Sequence, residues 1–175
     1  MSKRRLVRTS FFAGLVSLGL MGGGAALPAA AQQQVPFKGT FQGSDAVTPP
    51  ILTESNTGIG TLLGQFSSTA VFSFSTGLGS SQWIAANGDR IETTWVASAV
   101  NVDMAPCQVV GAQPEDSYRK ITEVHTITGG TGRFAGVQGS FALTKYHDRV
   151  PRSDGITHGT CGFYTGTITP PGAAH

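Results

Sequence analysis

Glu123 and His125 are the two residues whose types and spacing could do chemistry. They lie in the run Tyr118 to Thr128, where side chains alternate cleanly. One face holds Arg119, Ile121, Glu123, His125 and Ile127; the other holds Tyr118, Lys120, Thr122, Val124, Thr126 and Thr128. The isoleucines mark the first face as inward. On a strand, an i, i+2 pair projects to one side about 7 Å apart. A carboxylate buried there must find a partner or shift its pKa upward. A Glu/His pair in an apolar cavity can act as general acid and base for an isomerisation or a cyclisation. The same pair also suits a purely structural ion pair.

Other candidates are weaker. Lys145 and His147 continue the Phe141–Leu143 face and are expected to rim a mouth, solvated, beside a loop with Asp148, Arg149, Arg152 and Asp154. His147 and His158 flank that loop, but no i, i+4 His pair or Cys cluster supports a metal, so no metal is expected. Tyr118, Tyr146 and Tyr164 fall on three strands as packing residues. No G-x-S-x-G nucleophile elbow occurs.

The elements that position these residues are short strands. Val35 to Gly43 alternates, with Phe37, Gly39 and Phe41 on one face. Ser44 to Asn56, with Pro49-Pro50, is expected to be a loop. Thr57 to Phe66 carries Gly58, Gly60 and Gly64, which suits strong bending in a small closed sheet. Thr69 to Ser75 places Ala70, Phe72 and Phe74 on one side, and Gly77 to Ser80 is a turn. Gln82 to Ala86 and Arg90 to Ala99 flank Asn87-Gly88-Asp89, a hairpin signal, with Trp83 and Trp95 on its two arms. Asn101 to Ser117 is a long loop. Tyr118–Thr128, Val137–His147 and Thr157–Thr169 complete eight strands, and a frayed tail is expected from Pro170 to His175. No 3.6-residue apolar period appears beyond residue 31. The expectation is an all-β, single eight-stranded antiparallel β-barrel, whose closure removes exposed edges.

The first thirty-one residues have the form of a cleaved export signal. Lys3, Arg4, Arg5 and Arg8 precede an apolar run from Phe11 to Leu20, and Ala29-Ala30-Ala31 is a cleavage site. The run is short for a membrane span. The division is therefore a signal peptide, 1–31, and a barrel domain, 32–175, secreted or periplasmic. The secretory route is favoured, and Arg4-Arg5 leaves the twin-arginine route open. The whole chain carries 12 Lys+Arg against 10 Asp+Glu. With four basic residues gone, the net charge is −2 and no basic cluster survives. That excludes the electrostatic footprint of a nucleic-acid or anionic-membrane binder. Cys107 and Cys161, an even pair in an exported chain, are expected to form a disulfide.

The corner Gly129-Gly130-Thr131-Gly132-Arg133-Phe134, with Gly139 five residues past the Phe, resembles the G-G-T-G-x-F-x-x-A-x-G signature of dirigent proteins. The related allene oxide cyclase-like barrels share it, including exported bacterial proteins of unassigned role. Phe37-Lys38-Gly39-Thr40-Phe41 and Ala86-Asn87-Gly88-Asp89 look like the same bacterial group. Val137 stands where the plant signature has Ala. The resemblance implies an eight-stranded barrel with a largely apolar cavity, no metal or organic cofactor, and a possible oligomer, since many members are oligomers. Plant members steer phenoxy-radical coupling or cyclise a fatty-acid epoxide. The matching stretch holds none of their catalytic acidic, arginine or tyrosine positions, so no such role carries over.

The leading functional expectation is a non-catalytic barrel that binds a small apolar or aromatic molecule. Its cavity residues are Arg119, Ile121, Ile127, Trp95, Phe72, Phe74 and Phe141. The second is a cofactor-free isomerase or cyclase using Glu123 and His125. The third is a structural protein of the cell envelope.

Overall fold

Alternating inward and outward side chains run through every strand of the computed structural model, which describes residues 33–112 and 117–170. The strands are β1 (Val35–Thr48), β2 (Ile51–Gly60), β3 (Gly64–Ser73), β4 (Leu78–Ala85), β5 (Arg90–Val102), β6 (Tyr118–Gly130), β7 (Gln138–Asp148) and β8 (Thr157–Thr169). Each pairs antiparallel with the next, and β1 pairs with β8, so the sheet closes into a barrel. Among the described residues no helix is long and apolar enough to cross a membrane. The export segment assigned to residues 1–31 lies outside the described residues.

Three expected boundaries are corrected. Ser44–Asn56 is not a loop. It finishes β1 and begins β2 around a tight Pro49-Pro50 turn, which puts Asp45 opposite Glu54. Polar residues occupy inward positions there, so the apolar period is lost while the strand continues. Thr57–Phe66 is not one strand. The chain reverses at Thr61–Leu63, and Gly64 opens β3. Leu78, Gly79 and Ser80, expected in a turn, likewise belong to β4.

Glycines and aromatics alternate around the inside of the barrel. Tyr164 of β8 pairs with Gly39 of β1, which pairs with Gly60 of β2. Phe41 lies between Gly162 and Gly58, and Gly166 between Phe141 and Phe37. A narrow eight-stranded barrel accommodates large rings only where the neighbouring strands carry no side chain. The rings fill one half of the lumen. Phe37 lies 5.0 Å from Phe141 and 4.9 Å from Tyr164, and Trp83 lies 5.1 Å from Tyr164, centroid to centroid. Each such pair adds about 0.5–1.5 kcal/mol beyond its buried area.

The glycine corner closes this filled end. A single 3₁₀ turn, Gly132–Phe134, drives Phe134 into the core. Gly132 has φ +57°, and a Cβ there would strike the Asp89 carboxylate. The corner docks on the β4–β5 hairpin through Thr131 N–H to Arg90 O at 2.9 Å and an Arg133–Asp89 ion pair at 3.5 Å. On the outer wall, the Cys107–Cys161 disulfide ties the β5–β6 loop to β8. Val109, Tyr146 and Cys161 form a small second core beneath that loop. Cross-linking residues 54 apart stabilises by about 4 kcal/mol in the chain-entropy model.

The Tyr164 hydroxyl is buried without a hydrogen-bond partner, and it is the first atom a Cβ on Gly60 would meet. Gly60→Ala is therefore expected to destabilise by about 1–3 kcal/mol through overpacking. Tyr164→Phe removes the clashing atom and should restore part of that loss in a double-mutant melting cycle. An additive cycle would disprove the contact.

Candidate functional site

Above the aromatic layer the inward positions turn polar. Successive inward residues of β7 run Phe141, Leu143, Lys145, His147, and the inward side chains of β1, with glycines between them, run Phe37, Phe41, Asp45. The Lys145 ammonium is 1% exposed. Its Nζ lies 2.5 Å from Glu54 Oε1, 3.1 Å from Asp45 Oδ2 and 3.3 Å from Glu123 Oε1. One cation is thus held by carboxylates from β2, β1 and β6. Glu123 Oε1 makes only this ion-pair contact and no well-directed hydrogen bond. His147 Nδ1 meets Asp45 Oδ2 at 2.9 Å, and its ring lies 4.4 Å from that of His158.

His125 lies one layer deeper. Its ring stacks on Phe141 at 4.6 Å and on Trp95 at 5.7 Å. Nε2 lies 2.9 Å from Glu123 Oε2, and Nδ1 lies 2.9 Å from Thr93 Oγ1. Thr93 contacts Ser81 at 2.6 Å, and the Trp83 indole donates to Ser81 Oγ at 3.1 Å. Indole only donates. The arrangement that uses every hydroxyl hydrogen therefore runs Ser81 to Thr93 to His125 Nδ1. It leaves the imidazole hydrogen on Nε2, donated to Glu123. This relay fixes both the ring and the carboxylate.

The cluster shifts its members in opposite directions. Burial pushes Glu54 up to about 8, and Lys145 offsets only part of that rise. Burial also works against ionised Asp45 and Glu123, but Lys145 with His147 or His125 outweighs it and holds both below the usual carboxylate range. Burial opposes charge on Lys145 too, yet the three carboxylates hold its pKa well above the ordinary value. At neutral pH one carboxyl carries a proton while two beside it are bare.

A cavity of about 390 Å³ opens above the cluster. Glu54, Glu123, Lys145 and His147 form its floor. Val47, Leu52, Phe72, Phe74, Trp95 and Ile121 line its wall, and Arg119, Arg149 and His158 stand at its rim. A larger groove of about 1020 Å³ crosses the outer wall, but no titratable side chain lines it. Among the described residues no three His, Cys, Asp or Glu side chains converge as a metal site.

The structure brings Glu123, Arg119, Ile121, Trp95, Phe72 and Phe74 to this cavity. Ile127 and Phe141 do not reach it; they pack in the closed core, because stacked rings fill the lumen up to His125. His125 touches Glu123 but does not line the cavity. Lys145 and His147 are not solvated rim residues, since the barrel wall encloses them. Sequence reasoning missed Asp45, Glu54, Thr93 and Ser81. The signal for the first two was present: a two-residue turn at Pro49-Pro50 pairs 45 with 54 and gives Asp45 the parity of Phe37 and Phe41.

No family model and no curated protein matches the chain. The chain is similar to a solved structure, that of the pterocarpan synthase dirigent protein GePTS1. The identity is 9%, the match covers 90% of this chain and 99% of that chain, and the TM-score is 0.38. The eight-stranded closure described above rests on its own hydrogen-bonded register.

The Glu54 shift sets a pH dependence. Its folded pKa, about 8, exceeds its ordinary 4.5, so the fold favours the protonated form. That contribution is whole below pH 4.5 and drains away as pH rises to about 8. Asp45 and Glu123 act the other way: their contribution holds above the ordinary carboxylate range and fades in acid, as pH falls through their lowered values. Stability measured from pH 5 to pH 8 should therefore decline in the native protein, by at most about 1.4 kcal/mol per pH unit from this group. Glu54→Gln, which mimics the protonated acid, should flatten that slope. Equal slopes would remove Glu54 as its source.

Proposed function

We propose that the barrel binds a small apolar or aromatic molecule in the mouth cavity, with a polar group of the ligand directed at the charged floor. The observation that carries this reading is the juxtaposition of an aromatic and aliphatic wall with Glu54, Glu123 and Lys145 in one cavity of about 390 Å³. Sites for small molecules combine that volume, apolar lining and a few convergent polar groups. The same reading takes the protein as secreted or periplasmic, with residues 1–31 as its cleaved signal. The Cys107–Cys161 disulfide is compatible with an extracellular location.

A panel of phenols, aromatic ketones and lipids should contain molecules that raise the melting temperature. Trp95→Ala, which strips one wall, should weaken each of them at least about tenfold. A panel without shifts, or shifts indifferent to Trp95, would count against the reading.

A second reading, a cofactor-free isomerase or cyclase, draws on a separate observation. Glu54 and Glu123 flank Lys145, and their environments push them apart, one protonated and one ionised near neutrality. Such divergence suits an acid and a base at one site. Glu54 then takes the acid role and Glu123 the base role, with His125 positioning Glu123 from behind. A ketone that binds should exchange its α-protons in D₂O, and Glu54→Gln or Glu123→Gln should abolish exchange while binding persists. Exchange unaffected by both substitutions would refute this reading.

A further inference from the structure

An amine and a carboxyl are sealed against each other in the polar layer. Lys145 and Asp45 are 1% and 0% exposed. They belong to β7 and β1, which are not neighbours, since β8 runs between them. Lys145 Nζ lies 3.1 Å from Asp45 Oδ2, and the carboxyl carbon is one bond further. His147 Nδ1 meets the same oxygen at 2.9 Å. A carboxylate only accepts, so the imidazole donates there. Asp45 Oδ1 is buried with no hydrogen-bond partner. Glu123 Oε1 faces Nζ at 3.3 Å, and Glu54 stands opposite Asp45 in the β1–β2 register.

We propose that Lys145 and Asp45 condense into an isopeptide bond, a side-chain amide that staples β7 to β1 across β8. The ion cluster described above is the state that precedes the bond. Glu123 takes a proton from the ammonium while Glu54, the protonated carboxyl of the cluster, gives one to Asp45. A neutral amine then meets a neutral acid. Nζ attacks Asp45 Cγ, the Nζ–Cγ bond forms and the Cγ–Oδ2 bond breaks. Oδ2 leaves as water with the acid hydrogen and one from nitrogen, eased by the His147 donor. The proton on Glu123 returns to Glu54. Overall an ammonium and a carboxylate become an amide and water, and no co-reactant is consumed.

In water this condensation is opposed by the hydration of the two ions. Here both have already lost it, and one neutral amide removes that burden. Amine and acid held in contact also react as one molecule, at an effective concentration on the order of 10⁵ M or more. The product leaves no polar group stranded. Its N–H faces Glu123 Oε1, and Oδ1, bare beforehand, faces the Glu54 acid. The water departs into the cavity whose floor holds Lys145, Glu54 and Glu123. Asp45 is the carboxyl chosen because amine and imidazole converge on one of its oxygens and leave the other to become the carbonyl. In Glu123 they hold opposite oxygens, and Glu54 has no imidazole donor.

The purified protein, reduced to open its disulfide, should weigh one water less than its sequence requires. Trypsin needs a free lysine, so it should not cut after Lys145, and the peptides holding Asp45 and Lys145 should emerge joined. Asp45→Ala should keep its full mass, and Glu123→Gln should slow the loss about a hundredfold. The native chain decides the matter even if a variant fails to fold. Full native mass with cleavage after Lys145 would overturn the proposal. So would a water loss traced to a succinimide at Asp154-Gly155, or fragment masses that place the link on Glu54 or Glu123.

Discussion

An ammonium group sealed inside a protein must be surrounded by acceptors, and Lys145 meets that demand with three carboxylates drawn from three strands. Removing either side of such an arrangement leaves an uncompensated charge in a poor solvent, a loss of several kcal/mol. The cluster therefore fixes how β1, β2, β6 and β7 sit relative to one another across the lumen. A barrel selected only for stability would fill this layer with aliphatic side chains, which often hold a fold at least as well. The excess of acid over base has a further result. The three carboxyls cannot all ionise beside one lysine, so one of them stores a proton.

The aromatic half of the barrel makes that polar layer feasible. Rows in which a ring lies between glycines pack the closed end tightly enough to support His125 from below, stacked on Phe141. From there the relay Trp83, Ser81, Thr93, His125 reaches Glu123. The carboxylate at the cavity floor is thus oriented by groups that never touch the cavity. Above it the rings of Phe72 and Trp95 stack on each other at 5.1 Å rather than across the lumen, and the space stays open.

The parts legible in the sequence are those where the inward residues are apolar. Phe37 and Phe41, the Trp83–Trp95 hairpin and the Tyr118–Thr128 alternation give strands, faces and the closed barrel. The inward direction of Glu123 and His125 follows from the isoleucines beside them. The reading breaks where polarity reverses. Asp45 and Glu54 point inward at strand positions, and an apolar scan takes that stretch for a loop. Lys145 and His147 are misplaced for the same reason. A cation near a strand end looks solvated until the acids that enclose it are found, and two of them, Asp45 and Glu54, lie about a hundred residues earlier in the chain. The extent of the filling is also hidden. Nothing local in Ile127 or Phe141 distinguishes a side chain in the plug from one on the cavity wall.

Both tryptophans of the chain flank the same imidazole, with centroids 5.9 Å and 5.7 Å from that of His125. Indole emission responds to charge and to proton donors at that range. The intrinsic fluorescence of this barrel is consequently a built-in gauge of its polar centre. No other indole contributes background, and no label is needed to follow what happens at the floor of the mouth.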